Sequence, residues 1–172
     1  MVTGNKKIQT MILLAILVAL ATILSYIDGL ISRIAFSFLP TAKIGLANIV
    51  ILFAIYRLDF KKTLVIVILK SFLVGLILGS PITFIISICA TLVSFLGMYL
   101  LKKGLREKVT AVGISVVGGT LHIITQLIVV AFIYKLGEIV ISYGAILFVG
   151  SLITSIIIGL LTNKLVQHIK VE

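Results

Sequence analysis

Polar and apolar positions in this chain segregate on the scale of whole helices rather than single turns. Apolar runs cover 8–27, 44–56, 63–79, 81–101, 109–134 and 139–161, with 34–39 as an extension ahead of the second. A spanning helix needs ~17–25 residues at a rise of ~1.5 Å each, so five runs qualify and the second is short. The pattern predicts an all-α integral membrane protein, a six-transmembrane-helix bundle forming one domain over 1–172. Gly79-Ser80-Pro81 leaves the third and fourth helices only a tight connection, which makes them antiparallel neighbours and suits proline to the first turn of the fourth. The connections at 59–62 and 102–108 are also short. The first outer connection, 28–43, is the exception: it mixes Gly29, Ser32, Arg33, Ser37 and Pro40 with apolar residues. It reads equally as a lid folded over a cavity and as an interfacial segment lying on the membrane. The first run is too long and uninterrupted for a signal peptide, so it is expected to be retained.

Composition agrees with the pattern. Hydrophobic residues make up 61% of the chain and charged residues 12%, with a mean hydropathy of +1.35, values that exclude an ordinary soluble domain. The 15 Lys and Arg residues are unevenly placed. Lys6 and Lys7 precede the first run; Arg57, Lys61 and Lys62 separate the second and third; Lys102, Lys103, Arg106 and Lys108 separate the fourth and fifth; Lys164 and Lys170 follow the sixth. Only Arg33, Lys43 and Lys135 fall on the opposite side, with Lys70 in between. The positive-inside rule therefore puts both termini in the cytoplasm of a cell-membrane protein, as an even number of crossings requires. Topology and attraction to anionic headgroups account for the net charge of +10, and no nucleic acid partner is implied. The lone Cys89 excludes a disulfide within the chain.

Polar residues at membrane depth are the candidates for function. Lys70 lies eight residues from Lys62, ~12 Å into the bilayer, and its sequence neighbours offer no carboxylate. A cation there costs at least ~2.5–3.5 kcal/mol on insertion scales, so it should face protein or a wet cavity. Lys43 and Asn48 open the second helix from its outer end, while His122 and Gln126, four apart, share a face of the fifth in its outer half. Thr83 and Ser87 line one side of the fourth. If these groups converge, the site is cationic or donor-rich and favours a small anionic or strongly hydrogen-bonding ligand. Each has a blander reading: Lys70 snorkels, Lys43 anchors at the interface, and Asn48, His122 and Gln126 bridge helices. Small-residue spacings, Ala15 with Ala19 on the first helix and Ser71, Gly75 and Gly79 on the third, allow close helix approach, internally or to a partner.

Catalysis finds little support. The five acids, Asp28, Asp59, Glu107, Glu138 and Glu172, form no pair, and none is expected deep in a helix. No Asp-rich magnesium motif, metalloprotease pattern or phosphate-binding Gly-rich loop is present, so neither a metal nor another cofactor is expected. A proton-coupled transporter would usually carry a buried carboxylate, and none is expected here. Uphill movement of a solute would then need energy from another polypeptide.

The stretch Lys43-Ile44-Gly45-Leu46-Ala47-Asn48-Ile49-Val50, the deep Lys70 followed by Gly75 and Gly79, and Gly118-Gly119-Thr120-Leu121-His122 with Gln126 together resemble the Gx transporter family. Its members are often labelled heptaprenyl diphosphate synthase component I and look like the substrate-binding S components of energy-coupling-factor (ECF) transporters. The resemblance runs from Ile8 to about Leu165, and Lys-x-Gly-Leu-Ala-Asn is its most specific part. Relatives tend to carry arginine where this chain has Lys70, and His-Asn-x-Gly-Gln where it reads His122-Ile123-Ile124-Thr125-Gln126. The resemblance implies a six-helix, non-enzymatic protein with both termini inside, binding a micronutrient near the outer face under the first external loop. It also implies a T subunit and two ATPases as partners, with Ala15 and Ala19 on the docking helix. Its label implies an alternative, a non-catalytic membrane subunit associated with polyprenyl diphosphate synthesis.

Overall fold

The computed structural model of the chain describes residues 2–35, 43–135 and 137–168. Among these it is all-helical, with six α-helices: α1 (Val2–Ala35), α2 (Asn48–Arg57), α3 (Phe60–Ile77), α4 (Pro81–Leu105), α5 (Ala111–Tyr134) and α6 (Gly137–His168). A short 3-10 turn, Arg106–Lys108, joins α4 to α5. Four stretches are long and apolar enough to cross a membrane: Lys6–Ile34, Pro81–Leu105, Ala111–Tyr134 and Gly144–His168. Large apolar side chains stay uncovered along their outer faces, Phe132 at 88% exposure and Leu100 at 65% among them. A surface so apolar needs lipid or a partner against it, and the chain is a membrane protein.

Of the boundaries that differ from the sequence pattern, two build the site. The connection expected to begin at Asp28 is helical up to Ala35. Ser25, Asp28 and Ser32, spaced three and four apart, are buried on one face of α1 while Leu30, Ile31 and Ile34 are exposed on the others. The helical period thus continues through residues whose polarity suggests a loop. Of the expected outer connection, 36–42 lies outside the described residues. The second helix begins at Asn48 rather than 44, because Gly45 holds a φ of +96°, a backbone region that an L side chain rarely enters.

With ten residues, α2 extends only ~15 Å, half the hydrocarbon thickness. It survives because it touches each of the other five helices and buries seven of its residues, from Asn48 to Ile55. Val50, Phe53 and Ala54 pack with Leu17, Val18 and Ala21 of α1, while Ile51, Leu52 and Ile55 meet Val67, Phe95, Met98 and Ile114. At its far end Lys102 Nζ donates to the Ile55 carbonyl (2.7 Å) and lies over the Tyr56 ring, and Arg57 donates to the Val166 carbonyl. Cationic donors at a helix C-terminus satisfy carbonyls that have no partner within the helix.

The longer helices α3 to α6 pack as successive neighbours, and α1 lies against α2 and α3. Hydroxyls tie the helices together: Ser94 Oγ donates to the Gly118 carbonyl (2.8 Å) and Ser151 Oγ to that of Gly119 (3.1 Å). Gly159 lets α6 reach the backbone of α5; a Cβ there would lie 2.5 Å from Val112. Contacts this close depend on small residues, as the spacing of glycines suggests.

Candidate functional site

A cavity of about 240 Å3 opens at the end of the bundle where α3 stops and α4 begins. Lys61, Lys62, Lys102 and Lys103 lie at the other end of these two helices. Most of the residues that line the cavity are polar, with Ser25, Asp28, Gly29 and Arg33 of α1 on one side. The segment leading into α2 adds Lys43, Gly45, Ala47 and Asn48; Lys70 comes from α3, Thr83 and Ser87 from α4, and His122, Gln126 and Tyr134 from α5.

The five expected binding residues, Lys43, Asn48, Lys70, His122 and Gln126, therefore surround one cavity, and all five are buried. Lys70 is 2% exposed; its Nζ donates to Thr91 Oγ1 at 2.8 Å, its one hydrogen bond among the described residues, although an ammonium carries three donors. Among the described residues the one ion pair is Lys62 with Asp59 (3.0 Å), so Lys70 has no carboxylate at salt-bridge distance there. Lys43 lays its stem along Gly29 and places Nζ 3.5 Å from Ser25 Oγ. Burial brings its ammonium down to about 8, the charge of Asp28 opposing the shift and that of Arg33 adding to it. Asn48 and His122 flank Gly45, whose missing side chain leaves them room. Asn48 Oδ1, His122 Nδ1 and Gln126 Nε2 are buried with no hydrogen-bond partner among the described residues. Ala15 and Ala19 lie elsewhere, on the exposed face of α1 beside Ile16 and Leu20.

The structure corrects the expectation that no acid lies deep. Asp28 is 1% exposed on α1 and lines the cavity. Oδ1 accepts the backbone N–H of Ile44 (2.9 Å), and Oδ2 accepts those of Gly45 (2.7 Å) and Leu46 (3.1 Å). Three donors on two oxygens suit an ionised carboxylate. Asp28 thus secures the non-helical segment ahead of α2, whose backbone N–H groups would otherwise lack partners. The exclusion of proton coupling for want of a buried carboxylate falls with this correction. Ser25, Asp28, Gly29 and Arg33 were hidden by ending the first helix too early; continuing its period from Thr22 would have brought Ser25, Asp28 and Ser32 onto one face.

The charges around the cavity are three cations, Arg33, Lys43 and Lys70, against Asp28. Asp28 is already engaged by backbone donors, and the N-terminus of α2 adds the positive end of its dipole. The arrangement suits an anion, and its size suits a small one, since drug-sized ligands occupy ~300–1,000 Å3. Residues 7–165 match the family model for heptaprenyl diphosphate synthase component I. No curated protein and no solved structure matches the chain.

Proposed function

The chain belongs to the heptaprenyl diphosphate synthase component I family, and from that premise we propose that it is the substrate-binding component of an ECF-type uptake transporter for a small anionic solute. The observation that carries this reading is the convergence of Lys43, Lys70, Asn48, His122 and Gln126 on one cavity of about 240 Å3. By the positive-inside rule, the basic clusters at 57–62 and 102–108 belong in the cytoplasm, which turns the cavity outward. A non-helical segment leading into a half-length helix whose N-terminus faces the cavity is how membrane transporters commonly hold anionic groups. Energy would come from a membrane partner and two ATPases, the partner docking on the exposed face of α1 that carries Ala15 and Ala19. The chain itself would be non-catalytic, with six crossings and both termini inside.

The test is mass spectrometry of small molecules extracted from the purified protein and from Lys70→Met. One anionic molecule should be enriched with the wild type and lost with the variant; equal recovery from both would remove Lys70 from the site.

The family's description supports a second reading, a membrane subunit that assists prenyl diphosphate synthesis. Lysines bind a diphosphate readily. The cavity is too small for a long prenyl chain, and its outward face is the wrong one for a cytoplasmic substrate. Stimulation of prenyl chain synthesis by a soluble synthase, on adding the purified protein, would favour this reading over transport.

A further inference from the structure

The cations of the cavity account for an anionic group, but they leave three other side chains without a role. Asn48, His122 and Gln126 are 4%, 5% and 1% exposed, and each lines the cavity with a polar atom that has no partner among the described residues. They form one neutral cluster. His122 and Gln126 are one turn apart on α5, and Asn48 comes from the first turn of α2, with Gly45 between it and the imidazole. Helix-bridging amides would be paired with the helices they join, as Ser94 and Ser151 are.

We propose that this cluster reads a neutral donor–acceptor edge on the same molecule whose acidic group meets Lys43 and Lys70. The ligand is then a small organic acid bearing adjacent N–H and C=O groups, as in an amide, a ureide or an oxo-pyrimidine. The chemistry follows from what is unpaired. Asn48 Oδ1 only accepts and Gln126 Nε2 only donates, so together they need both partners from the ligand. A primary amide presents its oxygen and nitrogen side by side and pairs in bidentate fashion with such an edge. A fully ionised anion carries acceptors alone and leaves Asn48 Oδ1 buried and unpaired. Sites built to hydrogen-bond a donor reject analogues lacking it by up to about 10^5-fold. The inference rests on the uptake reading, and it separates that reading from diphosphate binding.

The experiment measures thermal stabilisation of the full-length protein in detergent by four probes. Orotate has both a carboxylate and a ureide edge, benzoate the acid alone, uracil the edge alone, and inorganic pyrophosphate is a polyanion without the ureide edge. Orotate should stabilise at lower concentration than the other three. Gln126→Met and Asn48→Leu should each weaken it about tenfold or more while leaving any benzoate effect in place. Stabilisation by benzoate, uracil or pyrophosphate at or below the concentration of orotate overturns the proposal, as does no stabilisation by orotate. The broader uptake reading is judged separately, by whether a solute copurifies with the wild type and is lost from Lys70→Met. Gln126→Ala and Asn48→Ala, which remove the amide without adding charge or bulk, serve if the larger apolar variants fail to fold.

Discussion

The Asp28 carboxylate accepts the backbone N–H of Gly45 at 2.7 Å, joining the last turns of α1 to the segment that leads into α2. With the bonds from Ile44 and Leu46 it holds in place a segment that carries Lys43 at one end and Asn48 at the other. The same acid therefore shapes the cavity and moderates its positive charge.

Asp28→Asn keeps the shape and removes one acceptor, turning an amide N–H2 toward backbone donors. A buried group left unsatisfied costs ~1–3 kcal/mol, so thermal unfolding in detergent should move to lower temperature and solute binding should weaken with it. An unchanged midpoint would show that the segment is held by other contacts.

Gly45→Ala tests the same segment from the backbone. At a φ of +96° a Cβ is strained, and it would lie 3.1 Å from Asn48 Nδ2. A cost of ~1–3 kcal/mol is expected, read as a lower melting temperature, together with loss of solute affinity as Asn48 is displaced. Full affinity in a folded Gly45→Ala protein would argue against a role for Asn48.

Lys70→Met replaces a buried ammonium by an apolar chain of similar length. Removing a buried charge that has no ionic partner is commonly neutral or stabilising, so the melting temperature should hold or rise while binding of an anionic solute disappears. A marked fall in melting temperature with binding intact would make Lys70 a structural group.

Lys43 supplies a pH dependence. Its ammonium, lowered to about 8 chiefly by burial, is stabilised by a bound anion, so binding takes up protons above that pH. Loss of the Lys43 charge should therefore lower affinity for an anionic solute as pH rises above 8, by at most about tenfold per unit. The Lys43→Arg variant stays charged and should lose that decline, as binding titrations across this range would reveal.

Ala15→Leu with Ala19→Leu fills a small-residue face of α1 that is exposed in the single chain. If a membrane partner docks there, the double variant should fold normally and fail to copurify with it. Recovery of the intact complex would place docking on another face.

Much of the architecture was legible in the sequence because membrane helices announce themselves by apolar length, and Lys70 by the cost of its charge. His122 and Gln126 were legible by their four-residue spacing. Asp28 was missed because polarity beside Gly29 and Ser32 imitates a loop; what makes that stretch helical is a carboxylate satisfied by backbone sixteen to eighteen residues away. The shortness of α2 was visible as a run of insufficient length, but not its place in contact with all five other helices.

The sequence by itself determined that this is a helical membrane protein of its family, with a buried lysine and a few polar residues inside apolar runs. Hydropathy and helical period are local properties, carried by neighbouring residues. Only the tertiary structure decided that residues from α1, the approach to α2, α3, α4 and α5 meet around one cavity, and that an acid belongs among the cations. Convergence of side chains from five segments depends on how helices pack and where their backbone breaks, and those positions are settled by contacts far apart in the chain.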